Sequence, residues 1–417
     1  MEDKDIFDRI LDLVKDYISE KSLSKLIKRF EDQGKIETIE MGMYKNEILP
    51  DELIPLLKQA KSLRKFAIEL GYLETLSPSI GELTQLEDMS FNNCCILQFP
   101  EEIGLLTNLV RLDIGENGYE QLPVSIGDLS KLKTLYINDN ELSVLPASLG
   151  NLANLEYIYM NVNKLKDLPT TFSNLHKLEY LSASFNKFEN IPEVIFSLPN
   201  LREIYFEGNQ ITNIPPSITQ LKQLESLGLY MNQITTLPSN IGELTKLKTL
   251  HLTNNTLTAL PSSFSELQSL EILTIRENSY NEIPKPIFSL KNLKELVLGS
   301  PNLTSITSDI QELENLEVLM IFSSPISELP DEISNLKKLT ELKIINTSLS
   351  SLPENIGNLD TLTNLSISNS QIEMYPESLA KLKQLKQLNL GKHDFNLFSH
   401  DLKQWIEELK ANGCDVS

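Results

Sequence analysis

Cysteine is scarce in this chain of 417 residues: Cys94, Cys95 and Cys414 are the three. Three thiols cannot build a disulfide framework, so a reducing, cytoplasmic setting is expected. Long apolar runs are missing as well. No stretch approaches the ~20 residues that span a bilayer, so membrane insertion is not expected. The N-terminus reads Met1-Glu2-Asp3-Lys4-Asp5, acidic where a secretory leader is basic. A secreted or surface location is the alternative, should a leader have been removed. Positive charge is in short supply too: 37 Lys and Arg stand against 58 Asp and Glu, a net charge of -21. Such a surface repels phosphate backbones, which argues against nucleic acid and favours a basic or mixed protein partner.

The means of chemistry are also few. The four histidines are His176, His251, His393 and His400. The chain has no His-Glu-x-x-His, no Cys-x-x-Cys, no acidic calcium loop, no phosphate-binding glycine loop and no Gly-x-Ser-x-Gly elbow. These are the spacings that place ligands, phosphate cradles or an activated nucleophile on one local element. No enzyme activity, metal or cofactor is expected.

What the chain does have is a period. Proline recurs at 100, 123, 146, 169, 192, 215, 238, 261 and 284, then at 330, 353 and 376, with Thr307 on the skipped beat. Twelve of the 20 prolines therefore fall on one 23-residue grid. One unit reads Leu132-x-x-Leu135-x-Ile137-x-x-Asn140-x-Leu142-x-x-Leu145-Pro146-x-x-Leu149-Gly150-x-Leu152. Alternation around Leu135 and Ile137 predicts a half-buried strand, and the threefold spacing after the proline predicts a tight helical turn. Such a unit cannot bury its leucines alone, whereas a stack of them shares one core.

Asparagine closes the strand motif at 117, 140, 163, 186, 209, 232, 255 and 278. A sharp turn strands backbone N–H and C=O groups, and an Asn amide both donates and accepts. The column is therefore structural, not catalytic.

The pattern LxxLxLxxNxLxxLPxxIGxLxx resembles the leucine-rich repeat family, in its 23-residue bacterial and intracellular Ras-associated scaffold type. The resemblance implies an α/β solenoid, a horseshoe with a concave parallel β-sheet, short helical or 3-10 convex segments and protein recognition on the concave face. It carries no catalytic residue. The expected organisation is a helical cap over 1–34, a solenoid over 35–395 of about 15 repeats, and a second helical cap over 396–417. A protein-binding scaffold acting as a monomer is the functional expectation, with a secreted adhesin or host-directed effector as the alternative.

The caps show in apolar residues at helical spacing: Ile6, Ile10, Leu13, Val14, Tyr17 and Ile18, then Leu23, Leu26, Ile27 and Phe30. Ser22 or Ser24 is expected to begin the second helix and Gly34 to end it. At the far end Leu402, Trp405, Ile406 and Leu409 form the stripe. Between 299 and 326 the Asn position turns to Pro301 and Ser324, followed by Thr347, Ser370 and His393, so looser turns are expected there.

Alternation also places side chains on the open sheet face, at positions six, four and two before each Asn. Tyr136, Tyr157, Tyr159, Tyr180, Tyr205 and Tyr230, half of the 12 tyrosines, fall there. Phe185 and Met231 adjoin them, and Glu207, His251 and Arg276 share the columns. These are the candidate partner-binding residues, since a tyrosine ring anchors contacts with little entropy to lose. The rings are expected to matter to binding and hardly at all to stability. A secondary patch comprises Val297, Val318, Met320, Phe322 and Ile345.

Overall fold

A computed structural model describes residues 3–43, 52–391 and 398–417. The chain forms two compact units, Met1–Asn209 and Gln210–Ser417.

The first unit opens with helices α1 (Asp3–Val14) and α2 (Glu20–Gln33). Ile6, Phe7, Ile10 and Val14 turn inward from α1, and the Phe7 ring stacks on Phe30 with centroids 4.1 Å apart. Ser19, not Ser22 or Ser24, caps α2, its hydroxyl accepting from the Ser22 amide. The Ser22 hydroxyl is used instead by the Gly42 amide at 2.8 Å. Gly34 ends the helix at φ 68° as expected.

Eight strands follow: β1 (Thr38–Gly42), β2 (Lys65–Glu69), β3 (Asp88–Asn92), β4 (Arg111–Asp113), β5 (Thr134–Tyr136), β6 (Tyr157–Tyr159), β7 (Tyr180–Ser182) and β8 (Glu203–Tyr205). They pair parallel, and from β2 onward every register step is 23 residues, as in Lys65↔Asp88 and Asp88↔Arg111. The first step, Thr38↔Lys65, is 27 residues. It contains helix α3 (Leu53–Gln59), where later repeats carry only a 3-10 turn.

The repeat builds itself from a few contacts. Leu132, Leu135, Ile137, Leu142, Leu149 and Leu152 are fully buried, each worth roughly 1.5–3 kcal/mol of transfer free energy. The grid proline holds the extended φ that precedes the turn (-67° at Pro146), and its carbonyl accepts from the amide three residues on. Thr307 does the same without the ring, so the missing proline costs no turn. The step glycine is there for clearance: a Cβ on Gly127 would collide with the Ser148 carbonyl of the next repeat.

Each asparagine works as read. The Asn186 amide donates to Met160, Ala183 and Ser184 carbonyls at 2.9, 3.1 and 3.2 Å, and its oxygen accepts from Leu165 N at 3.0 Å. Cys94 fills this position in its own repeat, with its thiol pointed at the Ile68 and Asn92 carbonyls. Burial pushes that thiol up to about 12, so it stays protonated and inert.

The second unit carries β9 (Ser226–Gly228), β10 (Thr249–His251), β11 (Ile272–Thr274), β12 (Glu295–Leu298), β13 (Val318–Ser324), β14 (Glu341–Thr347), β15 (Asn364–Ser368) and β16 (Gln387–Asn389). Helix α4 (His400–Ala411) covers the end through Leu402, Trp405, Ile406 and Leu409, with Trp405 Nε1 donating to the Leu382 carbonyl. A last strand, β17 (Asp415–Val416), pairs with β16.

The expectation of looser turns over 299–326 is corrected by the strands. β13 and β14 each run seven residues, and their ladder continues to Ser324↔Thr347. Backbone pairing takes over where the Asn amide is gone. Ser324 supplies part of the rest, its hydroxyl donating to Phe322 O and accepting from Ser300 N. Thr347 does not, and its buried hydroxyl has no partner among the described residues. The His393 substitution lies outside the described residues.

Candidate functional site

In the first unit the outward positions of β5 to β8 bring Tyr136, Tyr157, Tyr159, Tyr180 and Tyr205 together. The strand residues between them, Leu135, Ile158, Leu181 and Ile204, point into the core and fix which way the rings face. The rings form a ladder rather than a set of separate anchors. Tyr136 and Tyr159 stack at 4.4 Å and 8°, Tyr159 and Tyr180 lie 4.7 Å apart, and Tyr180 and Tyr205 lie 5.4 Å apart. Tyr157 leans on Tyr180 from 6.4 Å and is the most open of the five, at 36% exposure. Burial, and then the neighbouring phenols, push the Tyr159 hydroxyl up to about 12.

One end of the ladder is closed by a cation. The Arg111 guanidinium sits 4.8 Å from the Tyr136 ring centre and is held by Asp88 and Asp113 at 3.1 and 2.8 Å. Asp88 also receives Lys65 at 3.5 Å, and Lys65 shares Glu40 with Arg29. The face of β1 to β4 is thus an ion-pair network in which each cation is matched. At β8 the Tyr205 hydroxyl donates to Glu203 at 2.8 Å. Glu207 points toward the same face yet is only 6% exposed, and it takes the Ser184 hydroxyl. Burial holds its carboxyl above the usual carboxylate range.

Two apolar residues extend the ladder over its rim. Val162 and Phe185 are 44% and 43% exposed and adopt φ of 53° and 54°. That corner conformation suits Asn, Asp or Gly and penalises a β-branched residue. Phe185 lies over Gly208, itself at φ 63°, where a Cβ would strike the ring. Val162 stands at the position before the Asn, where a single valine carries no period that would mark it in the sequence.

The remaining candidates lie in the second unit. Tyr230 is half-buried and Met231 is 43% exposed. His251 Nδ1 and the Thr274 hydroxyl are 3.1 Å apart, and burial lowers the His251 pKa. Arg276 reaches across the side-chain-free Gly299 to stack 5.1 Å above Phe322. The secondary patch is contiguous: Val297 pairs with Met320, Phe322 with Ile345, and Val318 heads β13. Off the sheet face, a recess of about 530 Å³ lies among Leu97, Gln98, Phe99, Glu120, Gln121 and Leu122. No candidate residue lines it. Among the described residues no group of three His, Cys, Asp or Glu could hold a metal, and no helix is long and apolar enough to cross a membrane.

Comparison with known proteins follows the same lines. The family described as "Leucine-rich repeat region" matches residues 49–170, 218–324 and 307–411, and "Leucine Rich repeats (2 copies)" matches 176–219. No curated protein matches the chain. Among solved structures, a leucine-rich repeat protein of Leptospira interrogans is 31% identical, with a TM-score of 0.81 over 94% of this chain and 98% of that one. An internalin of Listeria monocytogenes is 26% identical, with a TM-score of 0.58 over 76% and 83% of the two chains. The plant peptide hormone receptor RGFR1 in complex with RGF2, at 23% identity, is alike in fold, with a TM-score of 0.54 over 86% and 69%. None of these matches is to a catalytic family. Register, asparagine column and stacked leucine core all agree with them, and the chain belongs to the leucine-rich repeat family.

Proposed function

We propose that this protein is a non-enzymatic scaffold that binds a protein partner through the tyrosine-bearing face of β5 to β8. A leucine-rich repeat is in general a protein-interaction module; the particular face is our assignment. The observation that carries it is the aromatic ladder left half-open to solvent, continued onto Val162 and Phe185. Clustered exposed apolar area is unfavourable on a protein that meets no partner. Rings locked by stacking lose little freedom on binding, which favours a preformed rather than an induced interface.

The test is affinity capture from the native lysate by wild type and by a Tyr157→Ala, Phe185→Ala variant. Both side chains lie at the open edge of the cluster, so their removal leaves the Tyr136–Tyr159–Tyr180 stack in place. A partner retained by wild type and lost by the variant is the expected result. Equal retention by both proteins would remove the face from consideration and move attention to the patch at Val297, Met320 and Phe322.

A further inference from the structure

Within the first unit, the β4 and β8 sides of the tyrosine ladder differ in one respect. At the β4 end, two carboxylates and a tyrosine ring surround the guanidinium of Arg111. At the β8 end, Glu203 on the strand and Glu207 in the turn just past it flank Tyr205, Glu203 accepting from its hydroxyl. Among the described residues neither carboxylate forms an ion pair with a Lys, Arg or His, and the same is true of Glu69. The cations on the outward positions of this unit, Lys65 and Arg111, are both already held by carboxylates. The face therefore offers a newcomer unmatched negative charge and no unmatched positive charge. That charge sits next to aromatic rings.

The geometry points to Glu203 as the seat for an arginine side chain carried by an extended segment of the partner protein. This rests on the protein-binding reading above and names the chemistry recognised. Arginine fits better than lysine for two reasons. Its planar fork can engage the carboxylate while its flat face lies along the neighbouring phenols. The fold itself already seats a guanidinium in this way at Asp88, Asp113 and Tyr136. Glu207, buried in the turn just past β8, adds negative potential beside the seat, and a cation nearby relieves the cost of its ionisation. Glu203 is only half-buried, so a side chain arriving from solvent reaches it.

The probe is N-acetylarginine amide, with N-acetylcitrulline amide as its neutral match in shape, titrated into the full-length protein and followed by NMR of the tyrosine rings. The expected result is saturable shifts of the Tyr180 and Tyr205 rings with the arginine compound, and binding of the citrulline compound at least tenfold weaker. Glu203→Gln should remove that difference. A Glu120→Gln, Glu189→Gln variant, which loses two exposed carboxylates away from the sheet, should keep it and so control for attraction to the acidic chain as a whole. Equal binding of the two compounds, equal binding by wild type and Glu203→Gln, or no ring shift with either compound would each overturn the arginine seat. If any of these is found while the Tyr157→Ala, Phe185→Ala variant still loses its captured partner, the seat is wrong and the protein-binding reading stands. If the variant keeps its partner, that reading fails on its own test.

Discussion

At the residue scale, burying a polar side chain has opposite consequences depending on what lies behind it. Asn186 is buried because four backbone groups need its amide. Glu207 is buried without any such need, and its ionised form is penalised for it. The consequence for stability has a definite sign. Below the ordinary carboxylate range, near pH 3.5, Glu207 is protonated in both the folded and the unfolded chain and costs nothing. As pH rises through the unfolded value, the unfolded chain ionises first, and folding loses free energy until the raised folded value is passed. Above that, the loss is constant. Glu207→Gln should therefore melt higher than wild type at pH 7, with the difference closing by about pH 3.5. A melting series across that range checks it, and a gap that widens toward acid would show that the Ser184 contact outweighs burial.

At the scale of the element, strand alternation predicted which tyrosines share a face, and the observed strands have that register. Stacking changes what those rings are for. Read from the sequence, they matter to binding and hardly to stability. In the fold Tyr159 lies against two rings, at 4.4 and 4.7 Å, and each such pair is worth about 0.5–1.5 kcal/mol. Tyr159→Ala should cost about 1–3 kcal/mol in urea unfolding, and Tyr157→Ala, with one tilted neighbour, less than half as much. Equal and negligible losses would return the rings to the role first read for them. Alternation says which side of a strand a ring leaves from; it does not say which rotamer brings it against the next repeat.

The turns over 299–326 carry a related lesson. Loss of the Asn was legible in the sequence, and so was the loss of its hydrogen bonds. What filled the gap was not legible. The response was a longer ladder in β13 and β14, because strand backbones about 4.8 Å apart can pair directly once no side chain is inserted between their carbonyls.

At the scale of the molecule, a repeat array is stabilised by neighbours, so its ends must be closed. The second unit closes with α4 packed on the last turn and with β17 covering the edge of β16. Removing residues 398–417 should lower the melting temperature of the protein and make it self-associate, since Leu379, Leu382 and Leu388 lose their cover and a strand edge opens. Sedimentation of the shortened chain beside the full one checks this. A shortened chain that sediments like the full one and melts unchanged would mean the last repeat is self-sufficient.

The sequence alone determined the repeat, its 23-residue register, the structural role of the asparagines and the outward columns of the strands that precede them. All of these follow from periodicity, because a pattern repeated more than ten times leaves one stacking that buries each leucine. Tertiary structure alone decided that Phe185 leans over Gly208, that Glu207 is buried, and that Arg111 closes one end of the tyrosine ladder while Glu203 further along it has no cation. Those features depend on distances between side chains from different repeats, and no single repeat contains them.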